Sequence, residues 1–321
     1  MNRREALLNI LRAGGVGAAA TALGVWLNGR STRPVEAVIT GAKRSHLVDD
    51  NPALPEVVVI EGGEPVQLVQ AALRELGGIE RFVSRTDTVL IKPNIGWDRT
   101  PEQAANTNPD AVAEVVRQCL QAGAKKVIVT DISCNDPRRC FQRSGIADAA
   151  RQAGAEVILP DPDKFKDVDL QGDVLREWPI FEPFLTADKI INMPIAKHHS
   201  LTGCTLGMKN WYGMLGGQRS QLHQNVHESL ADLADFIRPT ITILDAYRIL
   251  IRNGPTGGSL DDVELKKTLI AGTDPVAIDA YAAKTFWNLE PQALPYLKFA
   301  AQKGLGTSDF TKARTKAVRM G

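Results

Sequence analysis

The sequence predicts one doubly wound α/β domain on a mostly parallel sheet, spanning residues 38–321, with a glycine-rich lobe inserted around residues 198–225. Three observations predict it. Short β-branched and aliphatic runs alternate with segments of helical periodicity, the pattern of parallel strands joined by crossover helices. One run, Thr88-Val89-Leu90-Ile91-Lys92, reads as the kind of strand that is covered on both faces. Polar residues gather where the strands end, which is where open α/β sheets bind ligands.

The elements follow in order. Val57 to Ile60 predicts a first strand, stopped by Gly62 and Gly63, and Pro65 to Leu76 a helix that ends at Gly77-Gly78. After the strand Thr88 to Lys92, Asn108 or Thr107 can cap a helix that starts with Pro109 and runs to Gly123. Val127 to Val129 is expected to be a strand that delivers Asp131 and Ser133. A helix over Cys140 to Gln152, a strand over Val157 to Leu159 and a polar excursion through Trp178 come next. Lys189 to Asn192 predicts a strand, and Gln221 to Ile237 a helix with Val226, Leu230, Leu233 and Ile237 on one face. Ile241 to Leu244 predicts a strand that ends on Asp245, Leu269-Ile270 the last strand, and Asp274-Pro275 the start of a helix through Ile278 and Tyr281.

With 321 residues, 44% of them hydrophobic, the chain can bury a large core, and a net charge of +1 gives no reason to expect a nucleic-acid partner. The N-terminus reads differently. Arg3-Arg4 precedes an apolar run from Ala13 to Leu27 that is rich in glycine and small residues, which resembles a twin-arginine export signal. Residues 1–37 are therefore expected to be a signal peptide or an uncleaved anchor, the chain's one link to a membrane, with the export machinery as partner and the periplasm as address. Val35-Glu36-Ala37 is the nearest cleavage candidate. In that compartment Cys134 and Cys140, six apart in a turn-rich loop, could form a bridge, while Cys119 lies on an apolar helical face. A ferredoxin-type cysteine run is absent from the sequence.

The chemistry concentrates in Asn192 to His227, which holds four of the five histidines, His198, His199, His223 and His227, together with Lys197, Lys209 and Cys204. Imidazoles and ammonium groups are costly to bury unpaired, so the segment points to a bound polar ligand. Its glycines would let backbone N–H groups approach an anion, although no phosphate-loop or dinucleotide fingerprint is present. His223 and His227, four apart on one predicted helix, can chelate a metal ion with Cys204 as a further donor, and the zinc-protease glutamate is missing between them. Lys92, Asn94, Asp131, Asn192 and Asp245 all fall at strand ends and are expected to converge. Asp279, set in an apolar helix, must face that site or be buried with a partner.

Several phrases together resemble the domain of unknown function 362 family: Val89 to Asn94, Asn192-Met193-Pro194 with Lys197-His198-His199, Thr205 to Asn210, Leu244-Asp245-Ala246, and Gly272 to Asp279. The resemblance spans about residues 55–305 and implies that Lys92, Asn94, Lys197, His198, Lys209, Asn210, Asp245, Asp274 and Asp279 belong to the family pattern. Relatives often carry an iron-sulfur segment, which this sequence lacks. Two functions follow as expectations. In the first, an exported enzyme acts on a small anionic substrate, with or without a metal: Lys197 and Lys209 hold the anion, His198 or His199 is the general acid/base, and Asp245 orients a histidine or a metal. In the second, the same donors serve a periplasmic ligand- or cofactor-binding protein without catalysis.

Overall fold

The computed structural model describes residues 45–321, and the segment expected to direct export lies outside them. In chain order the elements are β1 (Val57–Glu61), α1 (Pro65–Glu75), β2 (Thr88–Pro93), α2 (Pro109–Gln121), β3 (Lys126–Val129), α3 (Pro137–Arg143), α4 (Ile146–Gln152) and β4 (Glu156–Val157). A hairpin of β5 (Phe165–Asp169) and β6 (Glu177–Phe181) and the single turn α5 (Pro183–Thr186) lead to β7 (Lys189–Met193), β8 (Ile195–His199) and β9 (Gly203–Thr205). The rest is α6 (Val226–Ile237), β10 (Ile241–Leu250), β11 (Val263–Gly272), α7 (Pro275–Trp287), α8 (Pro295–Gln302) and β12 (Thr315–Arg319).

The main sheet runs β12-β1-β11-β10-β7-β2-β3-β4. Pairings from β10 through β4 are parallel, β12 is parallel to β1, and β11 runs antiparallel to both of its neighbours. The fold is thus the expected α/β architecture. Strand alternation sorts the side chains into two cores: Val58, Ile60, Val89, Ile91, Ile191 and Ile243 face α1 to α4, whereas Val57, Val59, Leu90, Ile190 and Leu244 face α6 to α8. Burying one such side chain contributes roughly 1.5–3 kcal/mol. A one-residue slip would exchange the faces, so the hydrophobic pattern pins the register.

Helix starts follow local chemistry. Asn108, rather than Thr107, caps α2 by accepting from the backbone N–H groups of Asp110 and Ala111, and Asp274 caps α7 through Ala277 N–H.

The structure differs from the sequence expectation at several places, among them the polar excursion through Trp178, which contains the β5/β6 hairpin, and the strand expected over Val157 to Leu159, which is Glu156–Val157. The helix expected over Cys140 to Gln152 is two helices, because Gly145 takes φ +72° and ends the first. The helix expected from Gln221 begins at Val226; a 3-10 segment, Arg219–Asn225, precedes it, and the break at Asn225 has φ −129° and ψ 54°. The strand expected to end on Asp245 runs on to Leu250. Part of the expected lobe is the strand pair β8 and β9, antiparallel to each other, with β8 pairing with β10. Leu269-Ile270 belongs to β11, and β12 follows as a mostly exposed edge strand. Among the described residues, no helix is long and apolar enough to cross a membrane.

Candidate functional site

β2 and β3 end side by side, and their last residues begin the site. Lys92 shares the face of Leu90, where its ammonium is fully buried. All three of its donors are used: to Asp131 Oδ1 at 2.6 Å, Pro93 O at 2.9 Å and Asn210 Oδ1 at 3.1 Å. Burial pulls the Lys92 pKa down, and the Asp131 carboxylate opposes that shift. Asp131 in turn accepts from the backbone N–H groups of Ile95, at 2.5 Å, and Ile132, at 2.9 Å. Gly213 covers this pair so closely that a Cβ there would lie 1.8 Å from Asp131 Oδ1 and 2.6 Å from Lys92 Nζ.

Amide side chains extend the network. Asn210 donates to Asn192 Oδ1 at 2.9 Å, and Asn94 donates to Asn210 Oδ1 at 3.0 Å. Asn192 donates to Gly207 O at 2.9 Å, while the fully buried Asp279 accepts from Gly207 N–H at 2.7 Å and Met208 N–H at 3.0 Å. Burial raises the Asp279 carboxyl to about 7. Asn192 and Asp279 therefore anchor the Gly207-Met208 turn from behind and do not line the cavity in front of it.

That cavity has a volume of about 600 Å³. Its lining includes Lys92, Asn94, Asp131, Lys197, His199, Lys209, Asn210 and His223 among the residues expected from sequence. Lys197 Nζ donates to Ala105 O at 2.6 Å and Asn94 Oδ1 at 2.9 Å, and burial drops its pKa to about 7. Lys209 Nζ lies 4.6 Å from the centre of the Tyr212 ring, and burial drops its pKa to about 8. Among the described residues, neither lysine has a carboxylate within ion-pair distance. Asp131, already engaged by Lys92, is the one carboxylate in the lining.

Strand parity separates the two adjacent histidines. Lys197 and His199 project from the same face of β8, and Thr205, directly opposite Lys197 on β9, joins them. His199 Nδ1 accepts from Leu201 N–H at 3.1 Å, which puts the ring proton on Nε2. Burial, then the charges of Lys209 and Lys197, push its pKa down to about 3, so it is a neutral donor at pH 7. His198 points the other way, accepting from Gly254 N–H at 3.1 Å, and is not in the lining.

Asp245 also lies apart from the cavity. It has the parity of Ile243, on the opposite face of β10 from Leu244, and accepts from Asn108 N–H at 2.8 Å and Tyr247 N–H at 2.9 Å. It orients no histidine; it ties the start of α2 to β10. The expected metal donors also fail to meet. The break at Asn225 removes His223 and His227 from a common helical face. His227 stacks on Tyr296 with ring centres 6.2 Å apart, and Cys204 is buried with its thiol pushed up to about 12. No group of three or more His, Cys, Asp or Glu side chains among the described residues is placed to hold a metal ion. Cys134 and Cys140 are both free thiols, the first exposed and the second buried.

Residues that sequence reasoning missed complete the walls. Arg219 donates through Nη1 to Ile132 O at 2.8 Å and Tyr212 O at 3.1 Å, and through Nη2 to Ser133 O at 2.7 Å. Trp97, Cys134, Thr205 and Tyr212 also line the cavity, and the buried Thr205 Oγ1 and Tyr212 hydroxyl have no hydrogen-bond partner among the described residues. Arg219 carried a weak signal, as a cation two residues after the Gly216-Gly217 pair.

Fold and site together define an α/β protein with a cation-lined cavity at the carboxyl ends of its parallel strands. The chain belongs to the family described as Domain of unknown function (DUF362), whose model matches residues 89–284. It is 27% identical over 261 residues to a thylakoid-associated protein of Synechocystis sp., a match that covers 77% of this chain and 76% of that one. Among solved structures it is similar to the lactate racemase apoprotein from Thermoanaerobacterium thermosaccharolyticum, with a TM-score of 0.43 and 12% identity. That match covers 74% of this chain and 58% of the racemase chain.

Proposed function

We propose that this protein is an enzyme acting on a small anionic substrate held in the cavity at the strand ends. One observation carries the reading: Lys197 and Lys209 are almost fully buried, face the same cavity and have no carboxylate partner among the described residues. Burying an unpaired ammonium is costly, so such groups persist where a ligand supplies the opposite charge. Arg219 adds a third cation, preset by three backbone carbonyls. The reaction class calls for a titratable or nucleophilic group facing the ligand, and Lys197, with its pKa lowered to about 7, fills that role. Titration of the protein with oxalate, followed by Trp fluorescence, tests the reading. Saturable binding that Lys209→Ala weakens supports it, and equal binding by both proteins refutes it.

We further propose that the mature protein works beyond the cytoplasm. The Arg3-Arg4 pair before an apolar run supports this address. Changing Arg3 and Arg4 together to Lys keeps the charge but removes the paired guanidinium groups. The expected outcome is loss of the protein from the periplasmic fraction, and unaltered periplasmic yield would sink the proposal.

A further inference from the structure

Deepening the reading of an anionic substrate, on which it rests, we propose that Lys197 is the nucleophile of this site. It condenses with the carbonyl group of a 2-oxo carboxylic acid whose carboxylate is held by Lys209 and Arg219.

The three lysines in the cavity differ in what their nitrogens can do. Lys92 spends three hydrogens on three acceptors, which leaves no free position for attack. Lys209 lies over the Tyr212 ring, an arrangement that favours the ammonium form and suits a point charge for a carboxylate. Lys197 has two acceptors, Ala105 O and Asn94 Oδ1, and neither is charged. A neutral amine matches that pair: its two N–H groups are satisfied, and the lone pair takes the remaining tetrahedral position of a nitrogen that lines the cavity. Burial and the neighbouring Lys92 and Lys209 charges favour this neutral form, the usual means of activating an amine nucleophile.

The same ribbon face supplies the groups that carbonyl chemistry needs. Thr205 sits opposite Lys197, is 4% exposed, and has a buried Oγ1 without a partner among the described residues. His199, two residues along β8, presents Nε2–H as a donor. A substrate oxygen bound beside Lys197 would satisfy both. Arg219 keeps one Nη2 hydrogen and Nε–H beyond its three carbonyl contacts, which are free to meet a carboxylate.

The step balances without a further reagent. The Lys197 nitrogen bonds to the carbonyl carbon as the C=O π pair moves to oxygen, and one amine hydrogen ends on that oxygen to give a carbinolamine. The C–O bond then breaks, the second amine hydrogen leaves with the oxygen as water, and a C=N bond remains.

The full chain incubated with pyruvate and sodium cyanoborohydride, then digested and mapped by mass spectrometry, tests this. The expected result is a reduced pyruvyl group on Lys197 of the wild-type protein and its loss in Lys197→Arg. The wild-type map decides the question by itself if the variant fails to fold. Oxalate, which has two carboxylates and no ketone, separates the two readings. Oxalate binding with no adduct, or with the adduct on another lysine, overturns the nucleophile and leaves the anion site standing. Absence of both oxalate binding and adduct overturns both.

Discussion

Lys92 and Lys209 border the same cavity and are both buried, yet they belong to different kinds of structure. Around Lys92 every donor has an acceptor, and the Asp131 charge cancels its own. Around Lys209 and Lys197 the acceptors are neutral or aromatic, and among the described residues no carboxylate pairs with either nitrogen. The floor of the site is thus closed on itself, while its wall is left open to the anion proposed above. Burial does not distinguish the two roles; charge balance does.

The comparison breaks most visibly at the floor. Asp131→Ala strands the Lys92 ammonium in the interior and is expected to destabilise the fold by roughly 3–5 kcal/mol. Chemical denaturation measures it, and a loss below about 1 kcal/mol would mean that the floor does not depend on the pair. At the wall the expected pattern reverses. Lys209→Ala should weaken oxalate binding by roughly 1.5–3 kcal/mol, tenfold or more, with little change in unfolding midpoint. A large fall in stability with affinity retained would move Lys209 into the floor's category.

Gly213 sharpens the boundary between the two. Adding a methyl group there forces a shift of either Asp131 or the 209–214 turn, at an expected cost of about 1–3 kcal/mol. Because Ile132 N–H also bonds Gly213 O at 2.9 Å, Gly213→Ala should weaken both stability and oxalate binding. If only one falls, floor and wall are mechanically independent. The smallest effect is that of pH. Burial lowers the pKa of Lys197 to about 7 and that of Lys209 to about 8, and the proposed anion favours the protonated form of either lysine it meets. Affinity is therefore expected to fall as pH rises from 6 to 9, with proton uptake on binding near pH 8. His199, neutral throughout that range, should not contribute. A flat profile would show that neither ammonium meets the anion.

Much of this was legible in the residues. Long apolar runs such as Val89-Leu90-Ile91 announced the sheet because two covered faces leave no room for polar side chains. Convergence of Lys92, Asp131 and Lys197 followed from parallel strands ending along one edge. Parity places Asp245: with Ile243 and Leu244 on opposite faces, Asp245 must follow Ile243 away from the cavity. The same rule, applied to β8, would have separated His198 from His199. Other features left little trace. β8 is hidden by Pro194 and its own polar residues, and β12 is a mostly exposed edge strand with no long apolar run. The break before α6 depends on tertiary packing, since Gln221 to Ile237 keeps an unbroken helical rhythm.

The floor joins parts of the chain that are far apart along it. Lys92 and Asn94 reach Asn210 across 118 and 116 residues, and Lys197 reaches back 103 residues to Asn94. Contacts of that span form late, because closing a long loop costs entropy before any contact repays it. No early segment of the nascent chain can hold the site, and a ribosome must release the chain well past residue 210 before the lysines meet their acceptors. A transport route that accepts only finished folds would carry this cavity across a membrane already assembled, whereas threading the chain through as a strand would require those long closures to be made again on the far side.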